Sequence, residues 1–156
     1  MVYYLFAMPR EAEQLDVENK VIIGINAVEP PVTTEDDIIV NIGYCGATAD
    51  IPVGTIVEPS EAYDAITRDK VVIDRLFGCE DIKCFTASEF VTEPIEENRN
   101  IYDMELYKIA KLPHKKLYAL KIVSDNLNEN DCEQYNDKAA WAKIKDILEK
   151  FKDEII

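Results

Sequence analysis

The first apolar segment of the chain constrains the fold more than any other feature. Val2 to Ala7 (VYYLFA) is a continuous run of apolar and aromatic residues that ends at Met8-Pro9. A run without polar alternation predicts a strand buried on both faces, as in the parallel sheets of α/β proteins. Further β-rich runs indicate a large sheet. They are Lys20 to Asn26, Asp37 to Ile42, Thr55 to Glu58, Lys70 to Asp74, Ile82 to Thr86 and Leu117 to Val123.

Helical patterns are few and lie mainly late in the chain. Pro9 suits the first turn of a short helix that follows the first strand. Apolar residues from Asn100 to Leu112 recur at helical spacing and predict a helix of about three turns that stops at Pro113. A final amphipathic helix follows Asn136 or Asp137 as N-cap. Strands with helices around the last one predict an α/β three-layer sandwich with a central mixed, mostly parallel sheet.

Length and charge narrow the class of protein further. A chain of 156 residues suits a single domain. Seventeen Lys and Arg against 31 Asp and Glu give a net charge of −14, which repels phosphate backbones and anionic lipids, so we expect no nucleic-acid partner. The N-terminal apolar run stops at Met8 and has no basic leader, which predicts no signal peptide, no membrane association and a cytoplasmic protein.

The cysteines and the histidine predict no metal site. Cys45, Cys79, Cys84 and Cys132 form no CxxC pair, and His114 is the single histidine. A disulfide between Cys79 and Cys84 is conceivable, but a leaderless chain favours reduced cysteines. The Pro-His-Lys-Lys context of His114 is typical of a solvated turn.

Ligands of α/β folds bind beyond the carboxyl ends of the strands. In this chain those ends are Met8 to Glu11, Gly43 to Gly46, Ala87 to Val91 and Ser124 to Asn126. Gly43 to Gly46 follows a strand directly, which predicts a tight turn or a close backbone approach.

Carboxylates are the chemically useful groups near these ends. Glu11, Glu105 and Asp125 permit acid and base roles if their surroundings separate their pKa values, which makes glycosidic cleavage possible. Glu11 and Asp125 are equally compatible with helix-start and cap roles. No Walker loop, GxGxxG, GxSxG or HExxH motif occurs.

Several motifs together resemble the nucleoside phosphorylase and nucleosidase family, especially its 5'-methylthioadenosine/S-adenosylhomocysteine nucleosidase branch. The opening Ala7-Met8 with Glu11 precedes Asp103-Met104-Glu105, expected on a helix, and a strand that ends in Ser124-Asp125. The other motifs follow the family order. They are VNIGYCGA, VGTIVEPSEAYD and CFTASEFV.

The resemblance implies hydrolysis of the N-glycosidic bond of a purine nucleoside. Asp125 would protonate, or donate a hydrogen bond to, N7 of the leaving purine, and Glu11 would activate water. An oxocarbenium-like transition state needs both a nearby carboxylate and an acid at the leaving group. The family needs no metal or cofactor. The resemblance also implies a phosphorylase/hydrolase-like fold in a shortened domain, a homodimer and a role in nucleotide salvage.

Substrate-binding roles follow from the same resemblance. Glu105 and the backbone of Met104 would hold the ribose hydroxyls, Phe90 would stack on the base, and the Val91 backbone would contact the base edge. The remaining implied contacts complete the set; they are Met8, Ser124, Tyr44 in place of a small residue, and Lys121 in place of an arginine.

Structural roles are open alternatives for these residues. Met104 and Phe90 suit core packing, Glu105 suits a polar helix position, and Ser124-Asp125 suits a strand end.

Other functions also stay open at this point. Asn41 stands where phosphate-dependent members often carry Arg, which favours water as nucleophile, with a phosphorylase as the lesser option. A nucleoside-binding relative without turnover and a module used only for oligomerisation are further alternatives.

Overall fold

A computed structural model describes residues 1–128 and 135–156 of the chain. Nine strands lie within these residues: β1 Val2–Phe6, β2 Lys20–Ile22, β3 Ile38–Ala47, β4 Ile56–Val57, β5 Glu61–Asp64, β6 Lys70–Val72, β7 Lys83–Thr86, β8 Asn100–Asp103 and β9 Lys116–Asp125. The helices are α1 Pro9–Ala12, α2 Leu106–Ala110 and α3 Lys138–Ile155, and a 3-10 turn spans Ile25–Ala27.

All of these strands belong to one sheet. Its main path runs β2-β1-β3-β8-β7-β5-β6, and β9 pairs with both β3 and β4. The pairs β1–β2, β1–β3, β3–β9, β5–β7 and β7–β8 are parallel, whereas β3–β8, β4–β9 and β5–β6 are antiparallel. The predicted mixed, mostly parallel sheet is therefore confirmed.

Helices cover both faces of the sheet. Leu5 and Ile39 pack in the same core cluster as Leu106 of α2. The next residue along each strand points to the opposite face, where Phe6 and Val40 pack with Trp141, Ile144 and Leu148 of α3. Because adjacent strand residues face opposite sides, one sheet supports two cores. This arrangement confirms the three-layer sandwich and the predicted final helix, whose N-cap is Asp137.

The predicted helix from Asn100 is wrong over its first half. Residues 100–103 form strand β8, which pairs in parallel with β7 from Lys83↔Asn100 to Thr86↔Asp103. Every residue of β8 is buried, so the strand shows no polar alternation and its apolar residues imitate helical spacing. Helix α2 begins only at Leu106, and Asp103-Met104-Glu105 therefore lies at a strand-to-helix junction and not on a helix.

Two other predicted boundaries also move. Gly43 to Gly46 does not form a turn, because β3 continues through these residues and pairs with β9 as far as Gly46↔Asp125. The close backbone approach predicted there is correct, as the site geometry below shows. The predicted strand Lys20 to Asn26 ends at Ile22, and the acidic strand β5 had no predicted counterpart.

The remaining sequence predictions concern cysteines and membranes. Cys45, Cys79 and Cys84 are free thiols, while Cys132 lies outside the described residues. Among residues 1–128 and 135–156, none of the helices is long and apolar enough to cross a bilayer.

Candidate active site

A cavity of about 230 Å³ lies at the carboxyl ends of the central parallel strands. The last residues of β3 and β9 and the segments that follow β1 and β7 contribute to its wall, as expected for an α/β sheet. Most of the sequence-predicted site residues line it. They are Met8, Glu11, Tyr44, Phe90, Val91, Met104, Glu105, Ser124 and Asp125.

Glu11 is held in a fixed orientation at the start of α1. Its side chain accepts hydrogen bonds from the Met8 N–H at 2.9 Å and the Tyr44 N–H at 3.2 Å. The residue is 1% exposed, and this burial raises the pKa of its carboxyl group, although the charge of Lys121 opposes the shift. A buried carboxylate of raised proton affinity suits a general base.

Gly43 leaves the space that Glu11 occupies. A Cβ atom at this position would lie 3.0 Å from Glu11 Oε2 and 3.6 Å from Lys121 Nζ. The close approach predicted from sequence is thus the approach of the β3 backbone to the Glu11 carboxylate.

Asp125 is the last residue of β9, lines the cavity and is 2% exposed. Its carboxyl oxygens accept hydrogen bonds from the Leu127 N–H at 2.8 Å and the Ser124 hydroxyl at 3.0 Å. The β3–β9 register shifts between Cys45 and Gly46, which leaves Ser124 unopposed. Such a bulge re-aims side chains next to a site. A Cβ at Gly46 would lie 2.7 Å from Asp125 Oδ1.

Glu105 faces the cavity from the N-cap of α2. Its Oε2 accepts a hydrogen bond from the Asn26 N–H at 2.9 Å. Burial, assisted by the nearby charge of Asp103, raises the pKa of Glu105 to about 7, against the opposing charge of Lys121. The group therefore changes ionisation near neutral pH.

Lys121 does not line the cavity. It is 1% exposed and forms an ion pair with Asp103, with Nζ 3.1 Å from Oδ2. Burial alone would lower the pKa of Lys121, but the charges of Asp103 and Glu105 outweigh it, and the pKa is raised. Lys121 is thus a buried cation paired with Asp103, and it is not one of the residues that line the cavity.

Asp103 also lines the cavity and was not predicted as a site residue. Besides Lys121, its carboxylate accepts hydrogen bonds from the Thr86 hydroxyl at 2.6 Å and the Leu106 N–H at 2.7 Å. These bonds connect β7, β8 and the start of α2. Its place directly before Met104-Glu105 is a signal that was available in the motif.

Tyr44 stands on the cavity wall with its ring fixed on several sides. The Arg10 guanidinium lies 5.2 Å from the ring centroid, and the Trp141 ring packs edge-on at 5.9 Å. The Tyr44 hydroxyl donates to Asp137 and accepts from Trp141 Nε1 at 3.0 Å. Burial, with the hydrogen bond to Asp137, raises the pKa of Tyr44. Arg10 and Asp137 also line the cavity and were not predicted as site residues.

Phe90 and Val91 lie on the loop that follows β7. Phe90 is 36% exposed and Val91 is half-buried, and both face the cavity together with Met104. His114 is not among the residues that line this cavity; it lies on the loop between α2 and β9, where its Nδ1 is 2.7 Å from the Leu112 carbonyl oxygen.

Comparison with known proteins gives a result only at the level of structure. No family model and no curated protein sequence matches the chain. Solved structures match almost over their full length. One is the structure of the Chlamydia trachomatis 5'-methylthioadenosine/S-adenosyl homocysteine nucleosidase (MTAN) bound to MTA. Its match to this chain has a TM-score of 0.77 at 16% identity and covers 99% of this chain and 98% of that one. The chain has the nucleosidase fold.

Two further structures support the same assignment. The Chlamydia trachomatis MTAN bound to adenine has a TM-score of 0.76 at 16% identity, covering 99% of this chain and 98% of that chain. The Helicobacter pylori 5'-methylthioadenosine/S-adenosyl homocysteine nucleosidase has a TM-score of 0.74 at 12% identity, with 98% and 97% covered. The fold implied by the sequence motifs is confirmed, and the nucleosidase fold places the motif residues around one cavity.

Proposed function

We propose that the protein hydrolyses the N-glycosidic bond of a purine nucleoside, with a substrate similar to methylthioadenosine or S-adenosylhomocysteine. The observation that carries the proposal is the convergence of Glu11, Glu105 and Asp125 on one cavity at the carboxyl ends of the strands. The solved structures of the same fold include MTAN bound to MTA and MTAN bound to adenine.

Glu11 is the proposed general base. Its two backbone hydrogen bonds leave it oriented toward the cavity, and its raised pKa gives it a higher proton affinity than an exposed glutamate. The oxygen of a water molecule forms a bond to C1' of the ribose while a proton of that water passes to the Glu11 carboxylate. The nearby carboxylates also stabilise positive charge that develops on the sugar ring.

Asp125 is the proposed acid at the base. The N9–C1' bond breaks, its electron pair goes to the purine, and Asp125 gives a proton to N7, so that a neutral purine leaves. The hydrogen bonds from Leu127 and Ser124 fix the direction of this carboxyl group. The cycle closes when Glu11 returns its proton to solvent and Asp125 takes one up.

The other cavity residues bind the two halves of the nucleoside. Glu105 and the Met104 backbone hold the ribose hydroxyls, since an ionised carboxylate accepts two hydrogen bonds from a diol. Phe90 stacks on the purine and the Val91 backbone contacts its edge. Met8, Tyr44 and Ser124 complete the wall. The family pattern implies a substrate contact for Lys121. In this protein Lys121 is buried and forms an ion pair with Asp103, so we assign it an electrostatic role next to the cavity and no contact with the substrate.

The charge of the cavity favours water over phosphate as nucleophile. Among the described residues, acidic side chains dominate the lining, and the cation on its wall is Arg10, which packs on Tyr44. Asn41, at the position where an arginine would favour phosphate, is 2% exposed and donates its amide hydrogen to the Leu5 carbonyl oxygen. The acidic lining consists of Glu11, Glu89, Asp103, Glu105, Asp125 and Asp137.

Base release from a panel of nucleosides tests the proposal. Adenosine, inosine, methylthioadenosine and S-adenosylhomocysteine are incubated with the protein, with and without phosphate. We expect phosphate-independent release that Asp125→Asn reduces by about 100-fold or more, because general acid catalysis contributes roughly that much. Asp50→Asn is the matched control, since Asp50 also accepts backbone hydrogen bonds but lies on an exposed loop outside the cavity.

Other outcomes lead to different functions. Release that requires phosphate would make the protein a phosphorylase. Saturable nucleoside binding without release would make it a binding protein, and Tyr44, which takes up room on the cavity wall, would be the first residue to replace. The shortened single domain, the homodimer, the cytoplasmic location and the role in nucleotide salvage stay predictions.

A further inference from the structure

Asn26 lies where two parts of the cavity wall meet. It is the middle residue of the 3-10 turn Ile25–Ala27. Its backbone N–H donates to Glu105 Oε2 at 2.9 Å, and its side-chain Nδ2 donates to the Ser88 carbonyl oxygen at 3.3 Å. One residue therefore connects the carboxylate on the ribose side with the loop on the base side.

The conformation of Asn26 does not favour a side chain there. Its backbone has φ 66° and ψ 15°, in the left-handed region that glycine adopts most easily and asparagine tolerates. Its Oδ1 atom is buried and accepts no hydrogen bond from the residues that the structure describes. Both features act against stability, so folding alone does not account for asparagine at this position.

The loop that Asn26 contacts has few other anchors. The Ala87 N–H donates to the Asp103 carbonyl oxygen at 3.0 Å and fixes the start of the loop. Within the described part of the chain, residues Ser88 to Val91 make one hydrogen bond. It is the bond from Asn26 Nδ2 to the Ser88 carbonyl oxygen. Phe90 lies on this stretch and is 36% exposed.

We propose that Asn26 is a positioning residue, whose N–H orients Glu105 while its side-chain amide holds the loop that presents Phe90 and Val91 to the base. The assignment of base and ribose sides rests on the proposed function. Because one residue serves both sides, its backbone and its side chain have separate effects that one substitution can separate.

Asn26→Gly separates them. Glycine suits the positive φ and keeps the N–H that reaches Glu105, but it removes the Nδ2 bond to Ser88. Loss of a hydrogen bond of this kind weakens an interaction about threefold to tenfold. We expect adenine affinity, measured by calorimetry, to fall by about that factor. The ratio of kcat/KM for adenosine to kcat/KM for 3'-deoxyadenosine is expected to stay unchanged, since the bond to Glu105 is retained.

A second measurement needs no ligand. Chymotrypsin cleavage after Phe90, followed by mass spectrometry, reports how firmly the loop is held. We expect cleavage in Asn26→Gly to be about threefold to tenfold faster than in the wild type, with an unchanged or higher Tm. A residue that only stabilised the fold would instead lower Tm and affect both sides of the cavity.

Asn19→Gly is the matched control. Asn19 also has a positive φ, of 57°, but its side chain is exposed and lies outside the cavity. Cleavage and adenine affinity in Asn26→Gly equal to those of Asn19→Gly would overturn the inference while leaving the proposed function intact. If the wild type neither binds adenine nor releases a base, the proposed function fails, and the cleavage rates alone decide whether Asn26 holds the loop.

Discussion

Glu105 shows at the residue scale how burial changes the chemistry of a carboxyl group. Its pKa is raised from the ordinary 4.5 to about 7, chiefly by burial and then by the charge of Asp103. The folded state therefore binds the proton more tightly than the unfolded chain does. The resulting stabilisation is complete below about pH 4.5 and is lost as the pH rises toward 7.

This shift predicts a pH-dependent difference between the wild type and Glu105→Gln, in which glutamine resembles the protonated carboxyl group. Between pH 4.5 and 7 the wild type should lose stability relative to the variant, by on the order of 1 to 3 kcal/mol. Urea unfolding of both proteins across this range measures the difference. A difference that does not change with pH would show that Glu105 has an ordinary pKa.

Site residues differ in how far the sequence predicts them. Glu11 and Asp125 belong to local motifs next to strand ends, so both could be predicted. Asn26 could not, because it reaches Glu105 across 79 positions of sequence and its left-handed backbone leaves no pattern. Tyr44 was predicted as a contact, but its fixation by Trp141 depends on how α3 packs and not on a local motif.

At the element scale, burial on both faces explains which predictions failed. Strand β1 was predicted correctly because its apolar run is short and ends at Pro9. Strand β8 was mistaken for a helix, since the apolar residues of β8 and α2 together recur at helical spacing and no glycine or proline separates the two elements. Only the pairing of β8 with β7 and β3 decides between the two structures, and that pairing is not local in sequence.

The ion pair between Lys121 and Asp103 connects β9 with β8 close to the backbone of Gly43. Both side chains are at most 1% exposed. Lys121→Met leaves a buried carboxylate without its cation, which should lower the free energy of unfolding by about 3–5 kcal/mol. Asp103→Asn in the same protein should recover part of this loss, because no unpaired charge remains.

Urea unfolding of the single and double variants measures both effects. Lys83→Met is the matched control, because Lys83 pairs with Glu96 at 3.2 Å on the surface, where the expected cost is about 1 kcal/mol or less. Equal losses for Lys121→Met and Lys83→Met, or additive losses in the double variant, would contradict a strongly coupled buried pair.

At the scale of the whole molecule, architecture was more predictable than detail. Apolar runs and one amphipathic helix sufficed for the three-layer arrangement, because each element must bury its apolar surface against another layer. The same arrangement occurs in proteins that share only 12–16% identity with the chain over nearly its full length. Layer architecture is therefore compatible with many sequences.

Combined with the proposed function, the overall charge predicts that a neutral nucleoside is a better substrate than an anionic nucleotide. The net charge is −14, and acidic side chains line the cavity. Adenosine is uncharged, whereas adenosine 5'-monophosphate carries a phosphate that this field repels. At about 0.01 M ionic strength, where the Debye length is roughly 30 Å, we expect kcat/KM for the nucleotide to be at least about tenfold below that for adenosine.

Salt provides the control for this prediction. Raising the ionic strength to about 1 M shortens the Debye length to roughly 3 Å, so most of the long-range repulsion disappears. The difference between the two substrates should then narrow, while kcat/KM for adenosine itself changes little because adenosine has no charge to screen. A difference that stays constant with salt would mean that contacts at the 5' end, and not the field of the whole molecule, exclude the phosphate.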